Sequence, residues 1–334
     1  MSVGKSQEAV SAALRRRAAM LSLVIGVGML LGKWLAYLLT HSHAILSDAM
    51  ESVVHVAATA FALVSINLAA RPPDPKFPYG YGKVSYFSAG FEGGLIALAA
   101  LAILYESIQG LILGEKLASL DVGLILISVA GGVNLLLGVY LIRFGRATNS
   151  LILVADGQHV MADAYTSIGV IVGVSLAWVT GKTWLDGLTA IAVGCSILWT
   201  GWHLVAEAVT GLMDRADPGL LQRIVNALQE RRDEGWIDLH QLRAWQSGDR
   251  AFVDFHLVVP EDWSVARIHA AHDICHDILR ETLGAGTEVI IHFDPDEPGL
   301  DYHASKRWTV EEAVRVPEID HVHGQSHATD SVPG

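Results

Sequence analysis

Six apolar stretches dominate this chain, each near or above the roughly 20 residues that carry a helix across a bilayer. They run Ala18–Leu39, Ala44–Ala70, Tyr86–Leu113, Leu120–Ile142, Leu151–Val179 and Trp184–Val209. Hydrocarbon offers a peptide group no water to bond with, so such runs are confined to helices packed as a bundle. Composition agrees. Hydrophobic residues make up 51% and charged ones 17%, and mean hydropathy is +0.38, well above an ordinary soluble chain. Basic residues precede the first run, but that run is long enough to span and lacks a small-residue cleavage pattern, which predicts a retained helix.

The connections between the runs differ in charge. Lys5, Arg15–Arg17, Arg71, Lys76, Lys83, Arg143, Arg146 and Arg215 fall on one side, and the other side has only Lys116 and Lys182. The positive-inside rule then places both termini in the cytoplasm of a multi-pass protein, with a bacterial inner (plasma) membrane as the expected location. A net charge of -12, much of it after residue 205, is not that of a nucleic-acid binder. Two cysteines, Cys195 and Cys275, exclude a disulfide framework and argue against a cysteine zinc cluster.

After Asp214-Arg-Ala-Asp-Pro218 the composition becomes that of a small soluble domain. Leu220–Arg231 and Val265–Leu283 have helical periodicity. Ile237–Gln246 and Ala251–Pro260 alternate like strands around Ser247-Gly-Asp-Arg250, and Thr287–Asp294 reads as a closing strand. The expected architecture is an all-α six-helix membrane bundle followed by a small cytoplasmic α+β domain of αββαβ order, ferredoxin- or metallochaperone-like. The expected boundaries are a cytoplasmic segment 1–17, the bundle 18–210, the soluble domain 211–297, and a loose His- and acid-rich tail 298–334.

Ionisable residues within the apolar runs carry the chemistry. His159 and Asp163 are four apart, as are Glu51 and His55, so each pair shares one helical face. Asp48 precedes Glu51 by about a turn on nearly the same stripe. Such groups are costly in hydrocarbon and should turn toward the bundle interior. Two imidazoles and two carboxylates suit tetrahedral Zn²⁺, whereas calcium and magnesium prefer all-oxygen shells. The alternative is that the groups only hydrogen-bond one another and hold the helices in register. Asp156, three residues before His159, is expected to orient it from behind. Asn134 is expected to bond between helices, and Lys33 and Glu106 to pair or to reach an interface.

The sequence resembles the cation diffusion facilitators, six-helix divalent-metal transporters with a cytoplasmic domain. The marks are His159-x-x-x-Asp163, Asp48-Ala-x-Glu51-Ser, Tyr79-Gly-Tyr-Gly-Lys83, Leu212-Met-Asp-Arg-Ala-Asp-Pro218 and Ile290-Ile-His-Phe-Asp294, in that family's order along the chain from about Arg16 to Asp294. The resemblance implies a transport site on Glu51, His55, His159 and Asp163, and a homodimer that exports metal from the cytoplasm in exchange for protons. It also implies a two-zinc cytoplasmic cluster on His240, His256, His269, His292 and Asp294, and a charge interlock between Lys83 and Asp214. Two departures stand out. The second-helix pair is Glu51 and His55, where relatives commonly end in Asp. In the loop, Phe77 and Tyr81 occupy the positions of relatives' histidines, so Asp74 is expected to hold no metal there.

The expectation is therefore a secondary transporter and not an enzyme, with zinc as substrate and as structural or regulatory ion. Iron, cobalt, manganese or cadmium are alternative cargoes, since geometry and availability decide selectivity. Its partners would be a second copy, membrane lipid and protons, with no nucleic acid. A membrane metal sensor is the rival reading. An intramembrane metalloprotease ranks behind both, because no His-Glu-x-x-His occurs.

Overall fold

The computed structural model describes residues 2–40, 43–113, 123–182, 184–248, 250–296 and 307–315. Within them the side chains of 2–11, 36, 37, 39, 40, 43–51, 113, 123–127, 174 and 178 lie outside the description. Two compact units result, the first running to Arg215 and the second beginning at Ala216.

The first unit contains α1 (Ser2–Thr40), α2 (His43–Ala69), α3 (Val84–Leu113), α4 (Gly123–Ala147), α5 (Leu151–Thr180) and α6 (Trp184–Leu212). All six are long and apolar enough to cross a membrane. Helix α1 starts well before the apolar run at Ala18, because Ala, Leu, Gln, Glu and Arg among residues 2–17 favour helix. Helix α5 is capped by Ser150, whose hydroxyl accepts from the Leu153 amide, and it ends at Gly181 in the left-handed conformation.

The bundle packs α1 on α2, α3 on α6, and α5 against both α4 and α6. Its interior is built from small side chains. Ala18, Ala19 and Ala62 meet Leu141 and Leu153 in one cluster, and Ala89, Ala100 and Ala155 meet Ile96, Ile197 and Leu204 in another. Large apolar residues point outward instead, Leu136 and Val179 each 75% exposed. That distribution is the one expected where lipid is the solvent, since small residues let backbones approach while lipid accepts the large side chains. Gly201 shows how close the approach is. A Cβ there would stand 2.8 Å from the Ala97 amide nitrogen and 2.9 Å from the Gly93 carbonyl oxygen.

The second unit runs α7 (Pro218–Glu230), β1 (Asp238–Ser247), β2 (Arg250–Val259), α8 (Val265–Leu283), β3 (Glu288–Pro295) and α9 (Val310–Val314). This is the expected αββαβ order with one added helix. Asp217 caps α7, accepting from the Gly219 amide, with Pro218 in the first turn. Leu220, Leu221, Ile224, Val225 and Leu228 of α7 and Cys275, Ile278 and Leu279 of α8 cover the sheet. Burial pushes the Cys275 thiol up to about 12, which leaves it an inert packing group. The strand order is β1-β2-β3. Strands β2 and β3 are parallel, in a register that sets His256 opposite His292 and Val258 opposite Asp294.

The stretch expected to be loose from Pro298 onward differs from that expectation at residues 307–315. Trp308 is 3% exposed and Ala313 is fully buried, both in the core of the soluble unit. The Arg232 guanidinium lies 4.3 Å from the Trp308 ring centroid, and a capping box of Thr309 and Glu312 opens α9. One buried indole outweighs the polar composition around it. The rest of that stretch, with His321, His323 and His327, lies outside the described residues. Replacing Trp308 by Ala should remove about 3–5 kcal/mol of packing. Hydrogen exchange of the β1–β3 amides in the full-length protein should accelerate accordingly, and unchanged protection would show that α9 is dispensable.

Candidate metal centres

Helices α2 and α5 bring His55, His159 and Asp163 together. One ligand atom from each lies within 4.8 Å of the others. His55 Nδ1 is 3.4 Å from Asp163 Oδ2, and the two imidazole centroids are 4.9 Å apart. The His55 side chain is 11% accessible and that of Asp163 34%, so the group is largely enclosed but open on the carboxylate side. Nδ1 of His55 and Nδ1 of His159 are buried without hydrogen-bond partners. Two imidazole nitrogens left free beside a carboxylate match the donor set of a divalent transition-metal site.

Glu51 lies on α2 one turn before His55, and Asp48 lies one turn before Glu51. Their side chains are outside the described residues. Asp156 does not orient His159 as expected. Its Oδ1 accepts from the Thr59 hydroxyl of α2 at 3.1 Å, and the Ser22 hydroxyl of α1 also lies beside its carboxylate. The three-residue step leaves Asp156 on nearly the same stripe as His159, but a hydroxyl of the neighbouring helix α2 engages its carboxylate in place of the ring.

A further acid was missed in the sequence. Glu92 of α3 is 0% exposed, and neither carboxylate oxygen has a hydrogen-bond partner. Its signal was an acid near the start of an apolar run, followed by Gly93 and Gly94.

In the soluble unit one carboxylate gathers three imidazoles. Asp294 Oδ2 lies 2.9 Å from His256 Nδ1 and 3.4 Å from His240 Nε2, and Oδ1 lies 3.1 Å from His292 Nε2. Burial pushes the Asp294 carboxyl up, but the bonds from His240 and His256 outweigh it and hold the group below its ordinary value. His240, His256 and Asp294 present ligand atoms within 4.8 Å of one another. The alternation of β3 puts His292 and Asp294 on one face, and the parallel register puts His256 beside them.

Asp238, also absent from the sequence expectation, faces His240 Nδ1 at 3.3 Å. A carboxylate behind a ligating histidine fixes its tautomer. Burial pulls the His240 imidazole down, but Asp238 and Asp294 outweigh it and hold the ring up to about 9. His269 is not brought to this group. Its ring lies 6.4 Å from that of His272, centroid to centroid, its Nε2 is 3.9 Å from Asp273, and its side chain is 77% accessible. It occupies the N-terminal part of α8 on a face turned to solvent.

Lys83 and Asp214 meet at 2.8 Å. In the loop between α2 and α3, Asp74 accepts from the Lys76 and Phe77 amides at 2.8 and 2.9 Å and from the Tyr81 hydroxyl at 2.5 Å. The Tyr81 hydroxyl is the largest of the influences that hold its carboxyl below the usual range. The carboxylate thus serves as a turn cap.

Residues 19–213 match the family model for the cation efflux transmembrane domain, and residues 216–296 match that for the cation efflux protein cytoplasmic domain. An uncharacterized transporter of Synechocystis sp. is 39% identical over 292 residues, covering 86% of this chain and 93% of that protein. The cation-efflux pump FieF of Klebsiella pneumoniae is 30% identical over 288 residues, covering 84% of this chain and 92% of the pump. A solved structure of CzrB in its zinc form is 31% identical over 25% of this chain and 92% of that chain, with a TM-score of 0.24. Two family models in tandem, relatives aligned along most of their length, and six spanning helices before an α+β unit lead to one assignment: the chain is a multi-pass membrane protein of the cation diffusion facilitator family, the cation efflux transporters.

Proposed function

We propose that this transporter exports a divalent transition-metal cation, zinc foremost, from the cytoplasm in exchange for protons. The observation that carries the reading is the convergence of His55, His159 and Asp163 inside the bundle. Glu51, one turn from His55 on α2, is the fourth ligand, giving two nitrogens and two carboxylates. Binding needs neutral imidazoles and ionised carboxylates, so an entering cation displaces protons. On the far side, protonation of His55 or His159 weakens the site and releases the cargo. The bundle alternates between the two openings as it does so.

The working unit is a homodimer, a reading supported by the match of the soluble unit to a domain type named for dimerisation. His240, His256, His292 and Asp294 hold a structural or regulatory zinc, oriented by Asp238. The Lys83–Asp214 pair ties the start of α3 to the segment after α6. Basic residues concentrated on one set of connections support cytoplasmic termini in a bacterial inner membrane.

Proteoliposomes loaded with a zinc dye and a pH dye test the cycle. Zinc uptake should follow the pH gradient. Asp163→Ala should lower turnover by more than the roughly 10–100-fold that loss of an outer partner costs a metal site. Uptake indifferent to the gradient would remove proton exchange, stoichiometric binding without turnover would leave a sensor, and faster flux of iron, cobalt, manganese or cadmium would reassign the cargo.

The soluble cluster gives a separate pH signature. His240 is held up to about 9 against an ordinary value of 6.5, so a cation must first displace its proton. Zinc affinity of the Asp163→Ala protein should therefore rise from pH 6.5 to about 9 and then level off. Conversely, the stability that the imidazolium gains between Asp238 and Asp294 is complete below pH 6.5 and lost as pH passes about 9. Calorimetric zinc titration across that range measures the first, and affinity flat with pH would contradict the assignment of His240.

A further inference from the structure

Glu92 is the buried charge that the cation site leaves unexplained. It lies within α3, 0% exposed, with Oε1 and Oε2 both unbonded among the described residues. Asp156 of α5, 1% exposed, is the titratable group in electrostatic range of it. Among the described residues, the other elements packed on α3 bring no Lys or Arg toward it. Helix α6 presents Gly201, Leu204 and Ala208, while His203 and Glu207 of that helix are exposed. Helix α2 presents Thr59 to Asp156 and His55 within electrostatic range of Asp156. Asp48 and Glu51 of α2 have side chains outside the described residues. Ser88, one turn before Glu92 on α3, is buried with its hydroxyl unbonded.

Two carboxylates enclosed together cannot both stay ionised, because each charge raises the cost of the other and no water screens them. Something positive must join them. A hard cation would need about six to eight oxygen ligands. Here Asp156 already shares one oxygen with Thr59, and the α6 wall is glycine, leucine and alanine. A proton needs a single acceptor and fits where a hydrated ion does not.

We propose that Glu92, buried on α3 with both carboxylate oxygens unbonded among the described residues, is a proton-carrying site of the spanning bundle, separate from the cation ligands, so that one proton leaves it for each cation that enters. The proposal rests on the proton-exchange reading above and adds the carrier to it. When a doubly charged cation settles among His55, His159 and Asp163, its field favours the ionised pair, and the Glu92 proton departs to the aqueous phase then open. Release of the cation reverses the bias, and the pair takes a proton from the opposite side. Asp156 links the two events because it is in range of Glu92 on one side and of His55 on the other.

Two measurements on the full-length protein decide it. Dicyclohexylcarbodiimide modifies carboxylic acids held in apolar surroundings, and mass spectrometry locates the adduct. Glu92 should be labelled without zinc and protected by zinc, and the protection should vanish in Asp163→Ala. An unlabelled Glu92, or labelling that zinc leaves unchanged, overturns the proposal. In proteoliposomes, Glu92→Gln should lower the protons moved per zinc by about one, and Glu92→Asp should restore the ratio. A ratio unchanged in Glu92→Gln also overturns it. Should the unaltered protein move zinc without protons, the exchange reading fails by itself, while the labelling result still decides whether Glu92 carries a proton.

Discussion

A charge in the interior of a membrane bundle must be met by an opposite charge, a proton or a metal, and this demand organises the first unit. His55, His159 and Asp163 meet it as a group, with Nδ1 of His55 3.4 Å from the Asp163 carboxylate and one ligand atom of each residue within 4.8 Å of the others. The backbone is shaped to let them meet. At Gly157, two residues before His159, a Cβ would stand 2.9 Å from the Ile142 amide nitrogen, so α5 can press on α4 only because that position is bare. Gly201 plays the same part between α6 and α3. Small residues inside and large ones toward lipid turn the usual layout of a soluble core outward, and the space saved near the axis is where the ionisable side chains sit.

The soluble unit answers the same electrostatic demand in a wetter setting. Three imidazoles surround Asp294, and Asp238 backs one of them. Neither oxygen of Asp294 is idle, and that sharing depresses its carboxyl against the burial that would raise it. The membrane group has fewer such partners. Among the described residues, Nδ1 of His55 and Nδ1 of His159 have no hydrogen-bond partner. Under the proposed cycle the membrane site has to release its ion, which such loose support would favour, whereas ligands fixed from behind would suit a structural zinc.

How much of this was legible in the sequence depended on whether local spacing or distant packing decided the outcome. The four-residue steps from Glu51 to His55 and from His159 to Asp163 fix a helical face, and the two-residue step from His292 to Asp294 fixes a strand face. The spans and the αββαβ order followed from periodicity in the same way. Spacing could not say toward which neighbour Asp156 turns, and Thr59 of another helix holds it. It could not keep His269 near the cluster either, because that depends on how α8 lies over the sheet. Glu92 was overlooked since one acid with no partner at helical spacing makes no pattern. Trp308 was overlooked because a lone aromatic in polar surroundings reads as tail until its pocket exists.

Asp294 lies on β3, the last strand of the sheet, and that strand pairs with β2 in parallel through the long excursion of α8. On the ribosome, therefore, the membrane helices emerge and can insert before the residue that unites the histidines has been synthesised. The gathering of three imidazoles around one carboxylate therefore has to wait until β3 has been made. A protein truncated ahead of β3 would have all its spanning helices and no Asp294 to draw the three imidazoles together.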